Sequence, residues 1–278
     1  MSEANQDDQK HVVKNSWHHL RRFTDARIGL GRVGNSIPTK ELLAFQMDHA
    51  NAKDAVHIPL DAAKLAAELP DKRDQLHLKS QAANRAIYLQ RPDLGRRLSP
   101  ESAKLAGDHL AEHSQSFSVV IVIVDGLSST AVQAHAGQMA TMLCQRFEQQ
   151  QESIAPICIV EQGRVAIGDE IGDILQAECL VLMVGERPGL SSPDSLGIYY
   201  TYKPKVGLQD SNRNCISNIR PGGLSFEEAC DKLLWLIQES RNIQQSGVML
   251  KDESENQTST ISYSQENNLL LADGDEVD

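Results

Sequence analysis

The sequence predicts an α/β protein in three parts: a mostly helical N-terminal domain, a Rossmann-like domain on a parallel sheet, and a disordered acidic tail. Three observations carry that prediction. Continuous β-branched runs begin abruptly at Ser118. Helical stretches alternate with those runs, as a parallel sheet with crossover helices requires. After Gly247 the composition turns acidic and rich in Ser, Asn and Gln.

Residues 1–16 are polar and mixed in charge, and are expected to be disordered. From Trp17 to about Gly107 apolar residues recur at helical spacing, as in LLAFQMDHANAKDAV and DKRDQLHLKSQAANRAIYL. Pro38-Thr39-Lys40-Glu41 reads as a helix start, since Pro is tolerated in the first turn. Ser99-Pro100-Glu101 reads as another. Residues 17–108 are assigned to the helical domain.

SVVIVIVDG, PICIVEQG and CLVLMVGE are short continuous apolar runs, the pattern of parallel strands buried on both faces. LGIYYTY is a fourth, more alternating run. Between them lie the helical stretches STAVQAHAGQMATMLCQRFEQ and AIGDEIGDILQA, and FEEACDKLLWLIQESR closes the region as an amphipathic helix. Residues 109–247 form the Rossmann-like domain and 248–278 the tail. Ligands of such sheets sit beyond the carboxyl ends of the strands. Those ends are Asp125-Gly126, Glu161-Gln162-Gly163 and Gly185-Glu186-Arg187.

Composition excludes several functions. The net charge is -11, and no basic stripe is available to displace counterions from a nucleic acid. No apolar run approaches the roughly 20 residues that span a bilayer, and the N-terminus lacks the apolar core of a secretory signal. The expected location is cytoplasmic. The five cysteines form no C-x-x-C and are odd in number, against a disulfide framework or zinc ribbon. No H-E-x-x-H occurs, and no protein-held metal is expected. Asp48, His49, Asp54 and His57 do not define a clean metal face; subunit contact or a polar network suits them better.

Gly29, Gly31 and Gly34 spell G-x-G-x-x-G, with Asp54 where a ribose-binding acid would stand. The fingerprint works only after a buried strand and at the start of a helix. NSWHHLRRFTDARI is no buried strand, and the residues around Asp54 have helical texture. The glycines are better read as turn residues, and a nicotinamide oxidoreductase is disfavoured.

The longer stretch FTDARIGLGRVGNSIPTKELLAFQMDHANAKDAVH resembles the small (light) subunit of ethanolamine ammonia-lyase. The resemblance continues through VIVIVDGLSSTAV, VEQGRVAIGDEIGDIL, LMVGERPGLSSPDSLGIYYTY and NCISNIRPGGLSFEEA, over about residues 17–245. It implies an adenosylcobalamin-dependent lyase that converts ethanolamine to acetaldehyde and ammonia by radical chemistry. It also implies a large (heavy) catalytic subunit as partner, a higher-order hetero-oligomer, and cobalamin at the interface of the two chains. No nucleophile elbow, metal triad or acid/base pair is visible, in keeping with a chain that binds a cofactor rather than performs the chemistry itself.

Carried over onto matching motifs, the resemblance implies cobalamin contacts at Val165 in QGRVAIGDE, Glu186 in VGERPG and Cys215 in NCISNI, all in expected loops beyond the sheet. Each has a plainer alternative. Val165 would pack a helix start, Glu186 would pair with Arg187 or face solvent, and Cys215 would be a buried structural thiol. Asp125, Gly126 and Ser128 are second candidates, with helix capping the alternative role. Arg164 and Arg187 are suited to a phosphate, a partner carboxylate or plain surface charge. The D-x-H-x-x-G motif, by which some cobalamin enzymes replace the lower axial base with histidine, is absent, so base-on cofactor is expected. Some family members carry an amphipathic packaging peptide for a bacterial microcompartment; the first sixteen residues show no such stripe. The competing reading is a free-standing cobalamin carrier or sensor, which would bind cofactor without a partner.

Overall fold

Six consecutive apolar residues, Val119–Val124, can be accommodated only by a strand covered on both faces, and all six are fully buried. The computed structural model describes residues 11–70, 73–113 and 116–251. In it this run forms strand β2 (Phe117–Val124), inside a six-stranded sheet. The other strands are β1 (Gln75–Lys79), β3 (Ile157–Glu161), β4 (Ala177–Gly185), β5 (Leu196–Tyr202) and β6 (Asn214–Ile219), in the order β1-β3-β2-β4-β5-β6.

The first four strands in that order are parallel. β5 runs antiparallel to β4, and β6 antiparallel to β5. The expected wholly parallel sheet is thus a mixed one. The ten residues between β4 and β5 hold no helix, and a parallel return needs a crossover of about a dozen residues or more. A short connection therefore forces a hairpin.

The two faces are covered separately. Helices α5 (Ser129–Gln149) and α7 (Phe226–Ile243), with α2 (Ala62–Glu68), pack on Val119, Ile121 and Ile123. Helices α4 (Pro100–His113) and α6 (Ile167–Ile174) pack on Val120, Val122 and Val124. Ser225 and Glu228 start α7 with a capping box, each side chain accepting from the other's backbone N–H. Helix α3 (Arg85–Gln90) lies between β1 and α4 in the chain.

One expectation for the N-terminal half needs correction. DKRDQLHLKS has helical composition, yet it holds β1. Leu76 and Leu78 alternate with Gln75, His77 and Lys79, and the two leucines are buried; that period of two outweighs helix propensity at a sheet edge. The sheet therefore draws a strand from the 17–108 stretch. The rest of that stretch includes a less buried arm. Helix α1 (Thr39–His57) starts at the expected place, but Ala55 is its one buried residue. Arg27 pairs with Asp48, and Arg21 with Glu41 at 3.0 Å, tying the preceding segment to α1.

The termini differ in part from expectation. Residues 1–10 and 252–278, expected to be disordered, lie outside the described residues. Val13, however, bridges Arg32, and Leu250 is buried in the core. Asn214 fixes the closing segment, donating to the carbonyls of Gly247 at 3.2 Å and Leu250 at 2.8 Å. No helix among the described residues is long and apolar enough to cross a membrane.

Leu250→Ala should lower stability by about 2–4 kcal/mol through loss of buried surface and the cavity left behind. Urea unfolding followed by circular dichroism measures this, and no change would show that the segment does not pack.

Candidate functional site

The site is built where the sheet changes direction. The chain leaves β2 for α5 on one face and β3 for α6 on the other. Adjacent strands whose loops part to opposite faces leave a crevice at their carboxyl ends. Asp125, the first residue after β2, closes its floor and is fully buried. It accepts the backbone N–H groups of Gln162 and Gly163, both at 3.0 Å, and pairs with Arg85 of α3 at 3.1 Å. Burial pushes its carboxyl up, to about 6, against the pull of Arg85 and the amide donors.

Tyr88, one turn further along α3, shares this floor. Its hydroxyl lies 2.9 Å from the carbonyl oxygens of both Gly126 and Gly163, within donating distance of each. Burial raises this phenol far above its ordinary value, so it stays protonated as a donor. The guanidinium of Arg164 stacks over its ring at 4.3 Å.

Above this floor open two adjoining cavities, of about 440 and 560 Å³. Leu127, Arg164, Val165, Arg187 and Tyr199 line both. The structure thus brings Val165 and Glu186 to one cavity. Glu186 is not the ion-pair partner of Arg187. Its carboxylate accepts from the Ser195 hydroxyl at 2.6 Å, from the Ser217 hydroxyl, and from the backbone N–H of Asn218 at 3.2 Å. It lies against Gly197, where a Cβ would come within 2.8 Å of the carboxylate. A side chain there would displace Glu186.

Cys215 departs from expectation. It sits in strand β6 rather than a loop and is exposed rather than buried. Its partner across the ladder is Tyr199, which does line both cavities. Desolvation raises the thiol above its ordinary value, with hydrogen bonding to Tyr199 acting against it. Burial likewise pushes Tyr199 up to about 12.

Ser128 caps α5, accepting from Ala131 N–H at 3.1 Å, and also donates to the Pro193 carbonyl at 2.8 Å. Capping and loop attachment thus account for it, and internal bonding for Asp125. His49 stacks with Phe45, Asp48 pairs with Arg27, and Asp54 and His57 are exposed. No group of three or more metal-ligating side chains occurs among the described residues. Gly29, Gly31 and Gly34 all have positive φ. A Cβ on Gly29 would come within 2.8 Å of the His18 backbone, and one on Gly31 within 2.8 Å of the Val13 carbonyl. They shape a turn, with no strand before it.

Arg85, Tyr88 and Tyr199 escaped the sequence reading. A buried aspartate at a strand end calls for a cation, but nothing in the sequence says that α3 supplies it.

Residues 14–251 match the family model described as ethanolamine ammonia-lyase light chain (EutC). Among similar proteins, the ethanolamine ammonia-lyase small subunit of Azotobacter vinelandii is 51% identical over 96% of this chain and 99% of its own length. That of Ralstonia nicotianae is 51% identical over 92% and 95%. A Pseudomonas fluorescens small subunit is 53% identical over 88% and 90%.

Asp125→Asn should cost about 1–3 kcal/mol near neutral pH, because the amide can no longer accept from both the Gln162 and Gly163 N–H groups. Folded Asp125 takes up its proton at about 6, and the ordinary value is 3.8. Its ionisation therefore costs stability as pH rises through that window. The wild type should gain on the variant as pH falls from about 7 to about 5. Urea unfolding at the two pH values tests this; a gap that narrows on acidification would refute it.

Proposed function

Because the chain belongs to the ethanolamine ammonia-lyase light-chain family, we propose that its strand-end cavities hold one side of adenosylcobalamin at the interface with the large subunit. The chain is a subunit of a carbon–nitrogen lyase, and a small subunit implies a large one. The carrying observation is that Val165 and Glu186, placed by sequence motif, line a single cavity at the switch point of the sheet.

The residues fit a corrinoid. The periphery of a corrin carries amide groups, which need acceptors. A carboxylate offers about four acceptor positions, and protein donors take three of those on Glu186. Acceptor capacity for an amide N–H is left. Val165 and Leu127 offer apolar surface beside it. Cys215, next to Tyr199, borders the same region from the edge strand. When bound, adenosylcobalamin supplies the radical chemistry of the lyase reaction. This chain's residues bind and orient it, and the donors on Glu186 hold that carboxylate in place.

Two further features follow. No histidine lines either cavity, and D-x-H-x-x-G is absent from the sequence, so the cofactor keeps its own lower base. Cavities of about 440 and 560 Å³ enclose only part of a cobalamin, leaving its far side for a second chain. The arm supplies a docking surface for that chain. Trp17, Phe23, Ile37, Leu43 and Met47 are all exposed, at 56–63% of their area. Exposed apolar area on that scale marks a protein contact. The assembled enzyme is read as a cytoplasmic hetero-oligomer.

Coexpression with a large subunit, with adenosylcobalamin and ethanolamine supplied, should yield acetaldehyde only when all components are present. In that complex Glu186→Ala should weaken corrinoid affinity by about tenfold, the worth of one good hydrogen bond. A well-formed complex without activity would overturn the proposed reaction, and unchanged affinity in the variant would remove Glu186 from the site.

A further inference from the structure

We infer that Arg96, Arg164 and Arg187 form a phosphate subsite in the larger cavity, and that it receives the phosphodiester joining the corrin ring to its nucleotide. This rests on the cobalamin reading above and adds to it a cationic contact that none of the three motif-derived residues supplies.

The larger cavity is lined by these three arginines and one acid, Asp210. That acid is already bonded to Arg213 at 3.0 Å. Most arginines elsewhere have carboxylates of their own, among them Arg73 with Glu148, Arg97 with Glu170, Arg213 with Asp169, and Arg241 with both Glu152 and Glu178. Among the described residues no ion pair joins Arg96, Arg164 or Arg187 to an acid. In a chain of net charge -11, three unanswered cations around one cavity form a local positive field that attracts an anion.

Arg164 is held in place. Its backbone N–H donates to the Gly95 carbonyl at 2.7 Å. Its side chain runs so close to Gly95 that a Cβ there would sit 2.9 Å from its Cγ. Its guanidinium carbon lies over the Tyr88 ring, 4.3 Å from the centroid, and its Nε is buried without a partner. No acid occupies its N–H groups among the described residues, and a guanidinium presents those groups as a planar fork that suits a phosphate. Arg187, at the end of β4, and Arg96, in the turn Leu94–Arg96, are exposed and stand on other walls of the same cavity. The chemistry selects a phosphate oxyanion. Its source is the cofactor's diester or free inorganic phosphate, and these can be separated.

The test uses the two-chain complex and three corrinoids: cyanocobalamin, cobinamide phosphate and cobinamide, which lacks the phosphate. Binding is followed by visible absorbance. Wild type should bind cobinamide phosphate about tenfold or more tightly than cobinamide, as charge-assisted bonds to phosphate predict. Arg187→Gln, an exposed change that leaves the fold intact, should reduce that advantage. The double variant Arg164→Gln/Arg187→Gln should abolish it and weaken cyanocobalamin by a similar factor, while cobinamide affinity stays the same. Equal losses for all three corrinoids would overturn the subsite, as would a wild type indifferent to the phosphate. Wild type that binds no corrinoid would instead sink the cobalamin reading itself. If calorimetry shows arginine-dependent binding of inorganic phosphate while the corrinoids show none, the cavity serves free phosphate and its assignment to the cofactor falls.

Discussion

One buried carboxylate determines where the loops of this sheet begin. Asp125 leaves β2 with no exposed surface and must find donors for its charge. It takes the first two backbone N–H groups after β3, and the guanidinium of Arg85. That cation also donates to the carbonyls of Gly126 at 2.9 Å and Val56 at 2.8 Å. A single ion pair thus holds together the ends of two central strands, a helix from the N-terminal half, and the last turn of the exposed arm. Tyr88 adds a second link through the carbonyls of Gly126 and Gly163. The cavity walls at Leu127, Arg164 and Val165 stand on this base, so their positions depend on it.

The division of labour in the enzyme follows from what the base supports. The strand ends offer a fixed carboxylate acceptor, apolar surface and cations, the means of holding a large polar cofactor. They offer no paired acid and base of the kind that works directly on a small substrate. On the proposed reading, a subunit so built orients a cofactor that carries the hard chemistry. On that reading, its two cavities and its exposed apolar arm face the large subunit.

Much of this was legible in the sequence. Val119–Val124 and the runs in β3 and β4 can be read as buried strands because nothing but two covered faces suits them. The helix starts at Pro38-Thr39 and Pro100 follow from local chemistry that tertiary structure did not override. The positions of Val165 and Glu186 beyond the strand ends, where they line one cavity, were expected from motif and from the switch-point rule alike. What was missed depends on distant contacts. β1 is five residues long and only two of them are buried, too weak a pattern against helical neighbours. β6 carries a register irregularity opposite Leu196 and Ile198 and a positive φ at Asn218. Its apolar residues are therefore not evenly spaced, and Cys215 looked like a loop residue. Arg85 and Tyr88 lie in an ordinary helical sequence; only the fold brings them under Gly126 and Gly163. The G-x-G-x-x-G near the N-terminus shows the converse: a complete motif whose glycines serve backbone turns alone.

The most direct test of cofactor binding at these strand ends is hydrogen exchange on the two-chain complex, with and without cyanocobalamin. Residues 162–167 and 185–199 should gain protection, while the opposite end of the sheet, around residues 172–178 and 203–205, should not change. Protection confined to that opposite end, or none anywhere in this chain despite bound corrinoid, would contradict the account.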